Sequence, residues 1–149
     1  MVARSELTIL NSNLGWKNRI INSAYSFKWL FVLRHLFQFF LHIYLPSSVH
    51  KKRLRLCHCY NVTINPSAKL GSNVTIYHGV TIGSKQFGSN SGTPSIGDNV
   101  IVYPNAIVVG GITVGDGAVI GAGCVVVSNI PSNAMVVGNP GRVISYIKD

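Results

Sequence analysis

From residue 64 onward an aliphatic side chain returns at every sixth position: Ile64, Leu70, Ile76 and Ile82. After one interruption it resumes at Ile96, Val102, Val108, Val114, Ile120 and Val126. A second small or aliphatic residue stands four places after each, at Ala68, Val74 and Val80, then at Val100, Ala106, Ile112, Ala118, Cys124 and Ile130. Glycine follows the aliphatic at Gly71, Gly83, Gly97, Gly115 and Gly121. A period of six fits neither an amphipathic helix nor the alternation of an ordinary strand. It predicts an all-β parallel β-helix of hexapeptide units, each a short strand and a turn. Three units make one coil, so each inward side chain stacks on its equivalent three units further along. Glycine or asparagine at the corners tolerates the left-handed backbone that such turns demand.

The repeat breaks once. Ile82 and Ile96 stand more than two units apart instead of one, so eight places are extra. The polar segment 84–95 reads as an excursion from one corner, and as a flap over a cleft, since loops on rigid scaffolds so often carry function.

Residues 14–45 follow another pattern. They are rich in Phe, Trp, Tyr, Leu and Ile, with no Gly or Pro between Gly15 and Pro46. Lys28, His35, Gln38 and His42 recur at helical spacing beside a wide apolar face. Lys28 and Arg34 interrupt that face too often for a membrane span. The chain therefore divides into a helical segment, 1–45, and a β-helix, 46–149. The helix either caps the column or a partner subunit, or lies on a membrane with Lys51, Lys52, Arg53 and Arg55 facing anionic lipid.

Candidate chemistry is sparse. His58 and His78 are separated by one coil plus two places, so they fall on neighbouring coils. A histidine beside a cleft can act as a general base near neutral pH. Counting back by six from Ile64 puts His58 in an inward slot, so either the first coil is out of phase or His58 is buried and structural. In Cys57-His58-Cys59 an extended backbone points the two thiols one way and the imidazole the other, which excludes a shared metal ion. Cys124 occupies an inward slot and reads as a small core residue. After Glu6 the only acids are Asp98, Asp116 and Asp149, so paired-carboxylate catalysis is nearly excluded and histidine is the remaining base.

Charge sharpens the division. Residues 1–58 carry nine Lys and Arg against Glu6, whereas residues 59–149 carry four against three aspartates. A basic surface suits an anionic neighbour such as a phosphorylated small molecule or lipid. The basic residues are not interleaved with stacking aromatics on the repeat, which argues against single-stranded nucleic acid. With 149 residues, 47% of them hydrophobic and 11% charged, the chain suits one folded domain with a short appendage. Three cysteines and no visible cleavable signal point to a reducing, cytoplasmic location.

The stretches Thr75-Ile-Tyr-His-Gly-Val-Thr-Ile-Gly83, Ile96-Gly-Asp-Asn-Val100, Val114-Gly-Asp-Gly-Ala-Val-Ile-Gly-Ala-Gly123 and Val137-Gly-Asn-Pro-Gly-Arg-Val-Ile144 resemble the hexapeptide-repeat acyltransferases. Within that superfamily the likeness, over about residues 46–147, is to the serine O-acetyltransferase-like branch, which includes acetyltransferases of capsule, colanic-acid and O-antigen synthesis. The resemblance implies a left-handed parallel β-helix trimer with acetyl-CoA in the cleft between neighbouring prisms and no metal. It implies a histidine that takes the acceptor's hydroxyl proton, and backbone N–H groups that hold the oxyanion. Carried over by motif, the catalytic histidine is His58, with His78 second. Ser84, Lys85, Gly110, Gly111, Ala122, Gly123 and Arg142 fall at the coenzyme, Lys85 and Arg142 near its phosphates.

Two positions depart from the serine enzymes. Ile43 stands where they have an aspartate, fifteen places before the histidine, and Thr93 stands where a histidine precedes Pro94. These departures favour, as the expected activity, acetyl transfer to a sugar hydroxyl of a surface polysaccharide or its precursor, at the inner face of the membrane. Serine O-acetylation is the alternative, and a non-catalytic basic scaffold the third reading.

Overall fold

A computed structural model describes residues 40, 42–44, 54–58 and 60–147. The expected N-terminal helix, its capping or membrane-lying alternatives and the basic cluster 51–53 lie outside these residues. Among the described residues no helix is long and apolar enough to cross a membrane.

Thirteen short strands run in chain order: β1 (Arg55–Cys57), β2 (Thr63–Ile64), β3 (Lys69–Leu70), β4 (Thr75–Tyr77), β5 (Thr81–Gly83), β6 (Ser95–Ile96) and β7 (Ile101–Val102). They continue with β8 (Ile107–Val109), β9 (Thr113–Val114), β10 (Val119–Ile120), β11 (Val125–Val126), β12 (Ala134–Val137) and β13 (Arg142–Tyr146). They form three sheets: β1-β4-β7-β10-β12-β13, β11-β8-β5-β2 and β3-β6-β9. All pairings between these strands are parallel except β12 with β13. From β1 to β8 each strand thus stacks on the third strand after it, and the chain winds as a three-sided column.

The six-step aliphatics fill the column. Ile64, Ile82, Val108 and Val126 stack along one wall and Leu70, Ile96 and Val114 along another, all buried. The second set, from Val62 and Ala68 to Cys124 and Ala134, fills the corners from inside. Contact between like side chains at every level supplies the burial that such short strands lack individually.

Two irregularities depart from the even count. Leu56 pairs with Ile76, so the first coil exceeds three units by two places and Leu56, not His58, points inward. At the far end Ile130 bridges to Val114, only four places after Val126. Ile130 therefore takes a strand position, not the secondary slot that the repeat suggests. The column also starts earlier than residue 46: Ile43 is fully buried at its top and Tyr44 bridges to Thr63.

Asparagine and glycine share the left-handed corner positions, glycine taking them at Gly79, Gly117 and Gly123. Left-handed backbone falls on Asn73, Asn99 and Asn133 at one corner and on Asn61 and Asn105 at the next. Asparagine tolerates this conformation where a bulkier side chain is strained. Gly71 and Gly97 are not left-handed; they make room. A Cβ on either would collide with the carboxylate of the aspartate one coil on, Asp98 or Asp116. Those carboxylates tie the coils together: Ser72 N donates to Asp98 Oδ1 at 2.6 Å, and Asp98 N to Asp116 Oδ1 at 2.8 Å. Asp116→Ala should therefore lower the free energy of urea unfolding by about 1 kcal/mol, with Asp116→Asn, which keeps an acceptor oxygen, recovering most of it. An unchanged midpoint in the alanine variant would show that the ladder is idle.

Candidate active site

The two surplus places of the first coil sit at the corner that follows β1. Gly79 N donates to Tyr60 O at 3.0 Å, which restores the register two places beyond His58. His58 is left on an outward bulge, exposed, with a left-handed φ of 51°. Of the two readings of His58, the out-of-phase coil is the one observed. His78 lies one coil on, half-buried, and the two imidazoles meet edge to face with centroids 6.3 Å apart. His78 Nδ1 is buried and, among the described residues, has no hydrogen-bond partner.

A second stack stands beside the first. Tyr77 and Tyr103, each following an inward aliphatic of the same wall, lie nearly parallel with centroids 5.1 Å apart. Burial, followed by the neighbouring Cys57 and Tyr103, pushes the Tyr77 phenol above its usual range. Tyr77 therefore stays protonated at neutral pH. The flap lengthens the coil between these tyrosines, which hides their pairing from a count by three units. His42 meets Tyr60 edge to face at 6.0 Å, so it is a neighbour of this corner and not only a solvated stripe residue.

The other proposed residues fall in three places. Ala122 and Gly123 lie on the same corner as the histidines, two coils below His78 by way of β7 and β10. Ser84 and Lys85 leave the opposite edge of the β11-β8-β5-β2 sheet, and Gly110 and Gly111 lie one coil below them. Arg142 opens β13 at the base, Nη1 donating to Gly141 O at 3.1 Å. Within one chain the histidine corner and the flap corner thus flank one sheet. Ser84 Oγ accepts from Asn65 Nδ2 at 3.3 Å, and Lys85 Nζ donates to Ser89 O at 2.7 Å.

The two departing positions have structural roles. Ile43 is fully buried in the core, next to Tyr44, which bridges to Thr63. Thr93 Oγ1 donates to Ser67 O at 3.1 Å, fastening the flap's exit to the coil above.

A hexapeptide column with an imidazole pair on one corner and a loop on the next defines an acyltransferase architecture. The model for bacterial transferase hexapeptide repeats matches residues 93–128. The chain is 37% identical to a serine acetyltransferase of Bacillus subtilis, over 95% of this chain and 69% of that protein. It is similar to the crystal structure of Neisseria gonorrhoeae serine acetyltransferase in complex with serine (TM-score 0.57, 40% identity, 62% of this chain, 37% of that one). It is likewise similar to serine acetyltransferase from Brucella abortus in complex with coenzyme A (TM-score 0.60, 35% identity, 64% and 38%). The chain belongs to the hexapeptide-repeat acyltransferases of the serine acetyltransferase type, and its fold is their left-handed parallel β-helix. The match spans well under half the length of those solved structures.

These likenesses overturn the expectation of a polysaccharide sugar as acceptor, because the relatives are serine acetyltransferases. The departures at Ile43 and Thr93 were too narrow a basis for it: two changed side chains weigh little against identity spread along the chain.

Proposed function

We propose that this chain transfers the acetyl group of acetyl-CoA to the hydroxyl of serine. The likeness over 95% of the chain to a serine acetyltransferase carries this reading. The relatives solved with coenzyme A and with serine support the two substrates.

In this reading His58, exposed on its bulge, takes the proton of the serine hydroxyl. The oxygen attacks the thioester carbonyl carbon, and backbone N–H groups meet the oxyanion that forms. Collapse breaks the carbon–sulfur bond. The imidazolium returns its proton to the departing thiolate, leaving an acetyl ester and the free thiol of coenzyme A. His78, edge-on to His58, limits the orientations open to it. Lys85 and Arg142 serve as cations for the coenzyme's phosphates; each retains N–H donors beyond the bond it makes within the chain.

We also propose a homotrimer. The histidine corner and the flap corner are held apart by a full sheet whose outer surface exposes Ile107 and Val127. A three-fold neighbour packed on that surface brings its flap toward these histidines and covers the apolar side chains.

The purified full chain, given acetyl-CoA, should release free thiol only when L-serine is added, with O-acetylserine identified by mass. Thiol release indifferent to serine would rule this acceptor out.

A further inference from the structure

The flap is not a free loop. Lys85 N donates to Gly92 O at 2.9 Å, and Gly92 N returns a bond to Lys85 O at 2.8 Å. This antiparallel bridge pinches the neck of a loop running from Lys85 to Gly92, whose eight places equal the number by which the repeat is exceeded. Lys85 Nζ crosses the loop to Ser89 O. The tip then lies down on the next coil: Gly111 N donates to Asn90 O at 2.8 Å.

The two glycines beneath make this possible. A Cβ on Gly110 would stand 2.9 Å from Asn90 O, and one on Gly111 would collide with Ser91 O. Gly110 also has a left-handed φ of 102°, whereas Gly111 does not, so at Gly111 the requirement is space alone. Gly123 is the opposite case: its φ is 65° and nothing lies within 4 Å of the Cβ position. Gly111 is therefore glycine because a flap carbonyl occupies the place of its side chain.

We infer that Gly110 and Gly111 are positioning residues that seat the flap in its working place, acting on the coenzyme through Ser84 and Lys85. This role rests on the acetyl-CoA reading above; the seat itself does not.

The test is Gly111→Ala in the full chain, with two readouts. The first is limited trypsin digestion, scored by the fragment that begins at Gln86. A seated flap shields the bond after Lys85, so the variant should release that fragment about tenfold faster. The second is kinetic: KM for acetyl-CoA should rise about tenfold with kcat within about twofold of the parent. A companion pair lacks residues 85–92, which closes the loop at its neck. There Gly111→Ala should leave the melting temperature unchanged.

Equal cleavage in parent and variant overturns the seat, whatever the kinetics. So does a lowered melting temperature in the flapless pair, because the demand for glycine would then come from the coil. Faster cleavage with an unchanged KM overturns the positioning role and leaves acetyl transfer standing. A parent chain that turns over no acetyl-CoA overturns the functional reading, and the digestion still decides the seat.

Discussion

His58→Asn should lower kcat about 10²–10⁴-fold, the usual contribution of a positioned general base, with the urea unfolding midpoint unchanged. Asparagine is the instructive replacement because His58 sits at a φ of 51°. Alanine there would add a cost of roughly 1–2 kcal/mol for left-handed backbone and blur chemistry with stability. The imidazole is exposed and packs into no core, so its loss removes a proton acceptor and little else. Steady-state thiol release with serine at saturation is the measurement. A variant that keeps most of its rate would move the base to His78, the partner imidazole of the pair.

The second large effect is on stability. Ile82→Ala should destabilise the fold by about 2–5 kcal/mol in denaturant titration. Ile82 is fully buried between Ile64 above and Val108 below. The cavity it leaves cannot close by collapse, because the spacing of the coils is set by backbone bonds on either side, such as Thr63 N to Val80 O and Thr81 N to Ala106 O, each 3.0 Å. Ile107→Ala, one coil later but on the outer surface of the same wall, should cost the isolated chain far less. A loss below about 1 kcal/mol at Ile82 would mean that the aliphatic stack does not hold the column together.

Much of this architecture was readable in advance because the physics is local and repeated. An inward aliphatic stacks on its own equivalent, so one chain displays the same demand ten times over between Ile64 and Val126. The flap was legible as a surplus, and its neck, Lys85 against Gly92, accounts for the whole surplus. The phase of the first coil was not legible. Counting back from Ile64 lands on His58, and only the pairing of Leu56 with Ile76 shows that two places bulge out. The role of glycine was half legible: its presence after each aliphatic was plain, but close approach of an aspartate at Gly71 and Gly97 depends on atoms one coil away. Tyr77 and Tyr103 were missed because their stack exists only across the flap. The acceptor was misread at Ile43 and Thr93. A side chain that orients a base or grips a substrate can come from any neighbouring position in space, so its absence from one place in the order of residues decides little.

The last strand has a consequence for how these molecules can associate. A winding of parallel rungs has no inherent stopping point, and an open lower rim would accept the upper rim of another copy. Here β13 turns back and runs against β12, so the rim offered to a newcomer points the wrong way. At the opposite end Ile43 is fully buried, beside the bridge from Tyr44 to Thr63. Among the described residues the parallel ladder thus ends at β13, and a copy stacked on that rim would not continue it.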